Sequence, residues 1–403
     1  MRILLLTSRL PFPPNRGDRL RVYNFVKTMA QQHELFLISF INDDREEDNL
    51  PHLREFFQKI VLIPKSRFSS LLTVGLNLWR PEPLQVLYYR SKKMRQAVEK
   101  GLNEWNIDLI YTHLFRMAPY AVDAKNTYNI LDLTDAISLE IARSLPYRRF
   151  ISRIIYGMEL DRIKHYEQGI ASEFDECWLI SQTDVDEIAQ GHSDHNFVVI
   201  SNGVDLLKFH PIPGIEEPGT IAFVGHLGVF HNIDAARFLV QEVLPLVETS
   251  FASARLEIIG ADPVDEIRAL QKPDKVIIPG FVSDLNVALN RAAIFIAPLR
   301  FAAGVQNKVL EAMAAGRAVI TTSIVAEGMK AIPGRDLLVA DSAPEIAALA
   351  VDLLNFPDKR RALGERARSF VEVHFNWNVI SQRLNMIESA GHKLLNEKQK
   401  GKP

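Results

Sequence analysis

Short apolar runs alternate with stretches of helical spacing along the whole chain. Runs of this kind, often β-branched, are typical of strands buried on both faces of a sheet. In the first half they predict strands at residues 3–6, 34–40, 59–63, 109–111, 128–131, 177–180 and 197–200. In the second half they predict strands at residues 220–224, 255–259, 275–278, 294–297, 318–321 and 337–339. The alternation predicts an α/β protein whose parallel sheets are covered by helices on both faces.

A turn-rich stretch, residues 202–219, separates two similar patterns. After it, residues 221–225 restart a strand that ends in glycine, much as residues 4–7 open the chain. The chain is also too long for one ordinary core. We therefore expect two doubly wound, Rossmann-like domains, 1–201 and 202–375, that face each other across a ligand-binding cleft. The lysine-rich tail from residue 396 is expected to be frayed.

Residues 304–316 carry the most informative chemistry. They follow an apolar run that predicts a buried strand, and a glycine-containing turn then opens a helix. Gln306, Asn307 and Lys308 lie in the first helical turn, where free backbone N–H groups and the helix dipole favour an anion such as phosphate. Glu311 is placed to accept hydrogen bonds from two vicinal hydroxyls. This combination indicates a nucleotide sugar; the alternative is an ordinary strand–turn–helix with a solvated lysine and glutamate.

Composition narrows the class of protein. Hydrophobic residues make up 47% and charged residues 24% of the 403 residues, as in globular proteins. The net charge of −2 argues against a dedicated nucleic-acid-binding protein. A single cysteine, Cys177, excludes an internal disulfide and fits a reducing compartment. The apolar start reads as a strand, and no run of about 18 apolar residues occurs, so we expect a cytoplasmic protein.

Signatures of other enzyme classes and of metal sites have weaker support. No Walker A sequence is present, and no Gly-x-Gly-x-x-Gly follows either opening strand, which counts against a nicotinamide enzyme. Asp184 and Asp186 begin a predicted helix with Thr183 placed as in a capping box, so capping is favoured over metal binding. His192 and His195 lie in a polar loop without a nearby set of acidic or cysteine partners, so a surface loop is favoured over a metal site. We expect no metal site.

Three side chains of the first half follow predicted strands, where α/β proteins place their chemistry. His113 is suited to hold a sugar hydroxyl or to act on a leaving phosphate near neutral pH; the alternative is a hydrogen-bonded histidine at a helix start. Asp132 and Asp135 are candidates for the acceptor side. Capping of the next helix is at least as good an explanation for Asp135.

The loop of residues 13–19 also follows a strand. Gly17 lets a ligand approach the backbone closely, and Arg16 and Arg19 are suited to an anion. Solvated surface arginines are the alternative.

Residues 147–168 have the spacing of an amphipathic helix, with arginines beside Ile151, Ile154, Ile155 and Met158. We expect the apolar side to pack on the domain core. Contact with an anionic membrane surface is the alternative.

Together these residues resemble a GT-B-fold glycosyltransferase, most closely the retaining family-4 group. The resemblance covers nearly the whole chain and rests on the order and spacing of several segments. These are the first strand with its Gly17 loop, residues 202–205, Val224-Gly225, residues 256–260, residues 279–282 and residues 306–316. The sequence of residues 304–314 is similar to that of a subgroup associated with exopolysaccharide assembly.

The resemblance implies a role for each matching residue. Glu311 would bind the donor ribose, Val282 would meet the nucleobase through its backbone, and His113 would contact the transferred sugar, with Lys308 as its catalytic partner. Gly17 would lie near the phosphates and the acceptor, and Arg16 with Asp132 and Asp135 would lie on the acceptor side. The implied donor-binding set is Gly17, Gly225, His226, Val282, Gly304, Val305, Gln306, Asn307, Lys308 and Glu311.

Three positions depart from the family pattern. Ala303 stands where the family has a glutamate that touches the donor sugar. His226 and Asn232 stand where it has a basic pair beside the diphosphate. Since neutralising a departing diphosphate is a main electrostatic demand of the reaction, Lys308 would be the principal charge partner.

The resemblance implies a retaining, metal-independent glycosyltransferase of cell-surface polysaccharide assembly. Its donor would be a UDP-, GDP- or ADP-linked sugar, with no other cofactor, and its acceptor a saccharide or a lipid-linked molecule, with no nucleic acid as partner. Peripheral association with the inner face of the cell membrane is the alternative to a purely cytoplasmic location. A C-terminal helix, residues 376–403, would cross back to the first domain. Rival functions are a nucleotide-sugar epimerase on the same fold and a catalytically silent nucleotide-sugar-binding or scaffold protein.

Overall fold

The computed structural model describes residues 1–14, 16–190, 196–382 and 384. They form two compact units: unit 1 takes the described residues of Met1–Ser201 and Ser381–Pro403, and unit 2 is Asn202–Ile380. His192, His195 and the tail from residue 396 lie outside the described residues. Within the described part of the chain, no helix is long and apolar enough to cross a membrane.

Unit 1 is built on a seven-stranded parallel sheet. Its strands are β1 (Arg2–Thr7), β2 (Glu34–Ile41), β3 (Phe57–Pro64), β4 (Leu109–His113), β5 (Tyr128–Thr134), β6 (Glu176–Leu179) and β7 (Phe197–Val199). They pair in the order β3-β2-β1-β4-β5-β6-β7. Because all pairs are parallel, the carboxyl ends of the strands lie along one edge of the sheet.

Helices cover both faces of this sheet, as the apolar strands require. They are α1 (Gly17–Met29), α2 (Pro51–Arg54), α3 (Arg67–Leu76), α4 (Leu84–Tyr88), α5 (Lys92–Glu104), α6 (Ile137–Ser144), α7 (Phe150–Ala171) and α8 (Gln182–Ile188), with 3₁₀ turns at Asp44–Asn49, Phe115–Tyr120 and Leu145–Tyr147. Leu4 and Ile110 pair across β1 and β4 and are fully buried in the core. Phe36 of β2 joins them and stacks on Trp105 with 5.3 Å between ring centroids.

Unit 2 repeats the plan with six parallel strands. These are β8 (Glu217–Val224), β9 (Arg255–Ile259), β10 (Val276–Gly280), β11 (Ala292–Ala297), β12 (Ala318–Thr321) and β13 (Leu338–Val339). They pair in the order β10-β9-β8-β11-β12-β13. The helices are α9 (Phe230–Phe238), α10 (Leu244–Ser250), α11 (Asp265–Arg268), α12 (Leu285–Arg291), α13 (Asn307–Ala314), α14 (Ser323–Met329), α15 (Ala343–Asn355) and α16 (Pro357–His374), with a π-helical segment at Leu239–Val243.

The predicted α/β class with parallel sheets is confirmed. Each predicted strand corresponds to an observed one, with ends shifted by a few residues at most. The start of α8 is a correction, because Ser181 rather than Thr183 is its N-cap and accepts a hydrogen bond from the Asp184 backbone N–H at 3.2 Å. The buried Asp184 carboxylate accepts hydrogen bonds from the Ser181 hydroxyl and from the Ala136 backbone N–H. Asp184 therefore ties α8 to the start of α6.

The expected core packing of α7 is wrong. Phe150, Ile151, Ile154, Ile155 and Met158 form one stripe at helical spacing, and all five point into solvent, with Phe150 78% and Ile151 72% exposed. The buried face of α7 instead carries residues such as Ile163 and Glu167. The Glu167 carboxylate caps α6 by accepting hydrogen bonds from the Ile137 backbone N–H and the Ser138 hydroxyl. A polar contact thus holds the inner face of the helix, while its apolar stripe is left uncovered.

Candidate active site

Each sheet has a topological switch point, where chain connections leave in opposite directions and ligands of doubly wound proteins bind. In unit 2, β8 and β11 flank this point, since β9 and β12 lie on their outer sides. Gly225 and His226 follow β8, and the loop that leads into α13 follows β11. The two segments that carry most of the predicted donor-binding residues therefore meet at one crevice.

The loop into α13 has a shape that glycine makes possible. Gly304 adopts a left-handed conformation with φ of +60°, which other residues rarely do. Gln306 is the N-cap of α13, and its side-chain amide donates a hydrogen bond to the Ala303 carbonyl at 2.8 Å. Val305 is buried, so only its backbone is available to a ligand. The loop thus brings backbone groups and the start of α13 to the switch point.

Lys308 is held by neutral oxygens. Its ammonium donates to Oδ1 of Asn232 at 2.7 Å and to Oε1 of Gln306 at 3.4 Å. Asn232 is buried, and its amide N–H in turn donates to the His226 carbonyl at 3.0 Å. A Cβ at Gly225 would come within 2.7 Å of the Asn232 side chain, so glycine is needed there. These two contacts orient the Lys308 ammonium at the start of α13.

Glu311 lies one helical turn beyond Lys308. Burial raises the pKa of its carboxyl group to about 7, and the nearby cations Lys208 and Lys308 only partly offset this effect. The carboxyl group is therefore poised between its two forms at neutral pH. Hydrogen bonds from hydroxyl groups would favour the charged form.

The remaining predicted donor residues of unit 2 lie in different parts of the unit. His226 contacts Asp262, with 3.1 Å between Nε2 and Oδ2. Oδ1 of Asn307 accepts a hydrogen bond from the Asn202 amide at 3.1 Å. Val282 is half-buried and follows β10, which β9 separates from β8. The structure thus joins Gly225, His226, Gln306 and Lys308 through direct neighbours, whereas Val282 lies at the edge of the sheet.

In unit 1 the switch point lies between β1 and β4, and His113 is the last residue of β4. Its Nε2 lies 3.5 Å from the Thr134 hydroxyl. Burial lowers the pKa of His113 to about 4, with Asp132 and Asp18 pulling the other way and Arg116 adding to the decrease. The ring is therefore neutral at pH 7, which favours a hydrogen-bonding role over action as an acid on a leaving phosphate.

The backbone is strained next to His113. Leu114 has φ of +72° and Thr134, at the end of the neighbouring strand β5, has φ of +68°. A left-handed β-branched residue is a genuine outlier, and such strain concentrates at functional sites. These two positions therefore support a site at this edge of unit 1.

The assignment of Asp132 to the acceptor side needs correction. Its side chain is 0% exposed, and Oδ2 accepts hydrogen bonds from Nε of Arg21 at 2.7 Å and from the Tyr111 hydroxyl. Oδ1 accepts from the Thr134 backbone N–H at 3.0 Å. Because both oxygens are used inside the core, Asp132 braces the end of β5 rather than contacting an acceptor.

Asp135 and the first loop remain candidates for ligand contact. Oδ1 of Asp135 is buried and has no hydrogen-bond partner within the described part of unit 1. Burial, together with Asp184 and Glu140, raises the pKa of Asp135 well above its usual value. Gly17 is the first residue of α1, and Arg16 before it is partly exposed, with its Nε 3.9 Å from Asp18.

The fold and the crevice of unit 2 agree with the comparison to known proteins. Residues 218–355 match the family described as glycosyl transferases group 1. Residues 218–355 are therefore a domain of the group 1 glycosyl transferases. The whole chain is 21% identical, over 93% of its length and 96% of the relative, to an uncharacterized 44.6 kDa protein in the cps region of Klebsiella pneumoniae. It is 24% identical to a phosphatidyl-myo-inositol mannosyltransferase of Propionibacterium freudenreichii subsp. shermanii, over 71% of each chain.

A solved structure shows the same fold for the whole glycosyltransferase. It resembles Anabaena HepE in complex with UDP, with a TM-score of 0.67 and 14% identity over 97% of this chain and 100% of the other. The GT-B fold expected from the sequence is therefore confirmed. Among the described residues, no three or more His, Cys, Asp or Glu side chains come together as a metal site would require.

The sequence pattern missed three features of this glycosyltransferase. Asn232 looks like a lost cation in the sequence, but it positions Lys308, which is 76 residues away. Lys65 and Arg67 of unit 1 carried no signal, because Lys65 directly follows an ordinary strand and Arg67 begins an ordinary helix. Phe281, beside Val282, is 74% exposed, and an exposed aromatic residue next to a predicted nucleobase contact is the signal that would have drawn attention to it.

Proposed function

We propose that the protein is a retaining, metal-independent glycosyltransferase that moves a sugar from a nucleotide-sugar donor to a saccharide or lipid-linked acceptor in cell-surface polysaccharide assembly. The observation that carries this proposal is the position of Lys308 and Glu311 one helical turn apart at the start of α13. An ammonium held by amide oxygens suits a diphosphate, and a half-buried carboxyl group suits a ribose diol.

The reaction needs positive charge mainly where the diphosphate departs. The bond between the anomeric carbon and the diphosphate oxygen breaks, the acceptor oxygen bonds to that carbon, and the acceptor proton passes to the leaving phosphate. Lys308 and the N-terminal N–H groups of α13 would stabilise the negative charge that develops on the diphosphate. Neutral His113 would hold a sugar hydroxyl through a hydrogen bond. The retained configuration follows from the family resemblance.

The relatives support the substrate classes of this proposal. The Propionibacterium relative is named for transfer of mannose to phosphatidyl-myo-inositol, the Klebsiella relative for its cps region, and the Anabaena structure contains UDP. A lipid-linked acceptor and a UDP- or GDP-linked donor are accordingly the first to test.

The decisive test is acceptor-dependent turnover by the purified protein. UDP-glucose, GDP-mannose and ADP-glucose are each incubated with and without a lipid-linked acceptor extract, and release of the free nucleotide is measured. We expect one donor to release nucleotide only with acceptor, to give a product of unchanged anomeric configuration by NMR, and to be insensitive to EDTA. Tight donor binding without any transfer would instead support a catalytically silent nucleotide-sugar-binding protein.

Glu311→Gln is expected to weaken binding of the nucleotide sugar by ~1–3 kcal/mol, because hydrogen bonds to a charged acceptor are lost. The wild-type affinity should also rise with pH around the carboxyl pKa of about 7, because the ionised form binds the diol better. That pH dependence should disappear in the variant. Titration calorimetry across this pH range measures both effects.

Glu327→Gln, at an exposed position on α14, is the matched control and should leave the affinity unchanged. A folded Glu311→Gln variant with wild-type affinity and an unaltered pH profile would remove Glu311 from the donor site.

We also propose that unit 1 rests on an anionic membrane surface. Exposed apolar side chains concentrate on α7 and on α3 with the loop after it, where Phe68 is 79% and Trp79 78% exposed. The two segments adjoin, because Arg162 of α7 donates a hydrogen bond to the Leu78 carbonyl at 2.7 Å. We call this surface the α3–α7 face: Phe68, Leu71, Leu72, Leu76, Leu78, Trp79, Phe150, Ile151, Ile154, Ile155 and Met158.

Charge on the α3–α7 face fits such a partner. Residues 66–81 and 147–158 contain five cations and no acidic residue: Arg67, Arg80, Arg148, Arg149 and Arg153. Arg80 pairs with Glu82 just beyond this range, with 3.6 Å between nitrogen and oxygen. Apolar side chains bordered by cations are typical of helices that lie in the headgroup region of anionic bilayers.

Ile151→Ser with Ile154→Ser and Ile155→Ser should lower the partition of the protein onto phosphatidylglycerol vesicles by roughly 10- to 100-fold, because less apolar area enters the bilayer. Co-sedimentation with vesicles measures the partition. Leu207→Ser is the control, since Leu207 is 91% exposed in unit 2. Equal losses in both proteins, or no loss in the triple variant, would contradict a membrane role for the α3–α7 face.

A further inference from the structure

A cavity of about 650 Å³ lies in unit 1, away from most of the predicted site residues. It forms at the carboxyl edge of the sheet, where Arg9 follows β1, Asn42 follows β2 and Lys65 follows β3. Those three strands are adjacent in the sheet. We call it the β1–β3 cavity. Of the residues predicted to contact a ligand, Arg16 and Arg19 line it.

The β1–β3 cavity is strongly cationic. Five of its lining residues are basic and two are acidic: Arg9, Arg16, Arg19, Lys65 and Arg67 against Asp43 and Glu46. Some of this charge is internally matched, because Arg19 pairs with Glu46 at 2.7 Å and Arg9 with Asp18 at 2.9 Å. Lys65 and Arg67 form no ion pair within the described part of the chain.

Lys65 is the most unusual of these groups. Its side chain is only 8% exposed, yet its buried Nζ has no hydrogen-bond acceptor within the described residues. The ammonium lies 3.4 Å from the ring centroid of Tyr88 and 4.3 Å from that of Tyr89. Ring faces attract a cation but accept no strong hydrogen bond. A buried ammonium without an acceptor is costly, which points to an acceptor that a ligand supplies.

The surroundings of Lys65 favour an anion as that ligand. Burial, together with the nearby cations Arg9, Arg116 and Arg67, lowers the pKa of Lys65 to about 8. An anion in the cavity would reverse both effects, because it supplies an acceptor and offsets the repulsion among the cations. Tetrahedral phosphoryl oxygens suit a cavity that offers one ammonium and several guanidinium groups.

The position of the cavity indicates where the phosphoryl group comes from. Lys65 and Arg67 are separated by one residue, and Phe68 of the α3–α7 face follows directly. A phosphoryl group in the cavity would therefore lie next to the surface that we propose meets the bilayer.

We propose that the β1–β3 cavity binds the phosphoryl group of a lipid-linked acceptor, with Lys65 and Arg67 as its contacts. The identification of the ligand as an acceptor rests on the proposed glycosyltransferase function. The phosphoryl-binding site itself does not depend on that function. The site would fix the lipid end of the acceptor and so select molecules that carry phosphate at that end.

Lys65→Met tests the site in two ways. Inorganic pyrophosphate and farnesyl diphosphate are titrated into proteins that also carry Lys308→Met, which weakens the donor site. We expect binding of both probes to fall by about tenfold or more when Lys65 is replaced, as for loss of one charged hydrogen-bond donor. Lys93→Met, at an exposed position on α5, is the matched control and should bind as before. Because the substitution removes an unpaired buried charge, the Tm of Lys65→Met should equal or exceed that of the parent.

Four results would support or overturn the proposal and separate the possible sources of the phosphoryl group. Unchanged pyrophosphate binding in Lys65→Met would overturn the phosphoryl site. If Lys65→Met lost binding to phosphatidylglycerol vesicles to the same extent as binding to pyrophosphate, the cavity would hold bulk phospholipid. That result would overturn the acceptor assignment. In single Lys65→Met with Lys308 intact, an increased KM for the acceptor at unchanged donor KM supports it. Lys65-dependent pyrophosphate binding in a protein without transferase activity would uphold the site and refute only the proposed function.

Discussion

Lys308→Ala is expected to lower kcat by about 10²- to 10³-fold while changing the KM for the donor much less. The reason is that the Lys308 charge matters most as the diphosphate departs, when negative charge on its oxygens is greatest. The contacts with Asn232 and Gln306 hold the ammonium in place before that moment, so little reorganisation is needed. Steady-state kinetics with the donor identified by acceptor-dependent turnover measures the separation of kcat from KM.

Two further variants sharpen this expectation. Lys272→Ala removes an exposed lysine from unit 2 and should leave both constants unchanged. Asn232→Ala should lower kcat in the same direction as Lys308→Ala but by less, because it releases the ammonium without removing it. Normal turnover in Lys308→Ala would show that another group meets the charge of the diphosphate.

Arg21→Met is expected to lower the free energy of unfolding by about 3–5 kcal/mol at pH 7, because it leaves the buried Asp132 carboxylate without its counter-ion. Arg21 and Asp132 are both 0% exposed, and Arg21 also donates a hydrogen bond to the Ile200 carbonyl at 2.7 Å. Urea denaturation at pH 7 measures the loss. Arg361→Met, which breaks an exposed pair with Asp358, is the control and should cost no more than about 1 kcal/mol.

The pH dependence of this loss follows from the pKa of Asp132. Burial would raise that pKa, but Arg21 and His113 outweigh burial and hold it below its ordinary value. The ion pair therefore contributes stability above the ordinary carboxyl pKa and loses it as the pH falls through the lowered value. In Arg21→Met the carboxyl group protonates more readily, so the difference from wild type should shrink on acidification. A difference that is small at pH 7 or independent of pH would show that the pair is not a buried ionic contact.

The features that the sequence could predict are local ones. The run before Gly304 and the helix that begins at Asn307 are neighbours in sequence, so their pattern is sufficient to indicate a strand, a turn and a helix start. The same holds for the alternation that predicts parallel sheets. Strand ends shifted because a few flanking residues join the ladder once neighbouring strands are present.

The features that it could not predict depend on partners far away along the chain. The sequence pattern of an aspartate after a strand is the same whether its side chain faces a ligand or binds a core residue. Asp132 accepts a hydrogen bond from Arg21, which is 111 residues away in sequence. The sequence pattern of an amphipathic helix is the same whether its apolar stripe packs on a core or, as in α7, faces solvent. A role for Lys65 could be inferred only from the structure, in which β1, β2 and β3 are adjacent and Lys65 lines the cavity at their carboxyl ends. Tertiary contacts decided each case.

The short connection from β3 to α3 has a kinetic consequence. Since Lys65 and Phe68 lie within four consecutive residues, the proposed acceptor binding and bilayer contact would occur at nearly the same depth. The enzyme would then collect its acceptor by lateral diffusion in two dimensions, and its rate would follow the mole fraction of acceptor in the lipid. Diluting the acceptor with other lipid should slow turnover, while diluting the vesicles with buffer should not, as long as the protein stays bound.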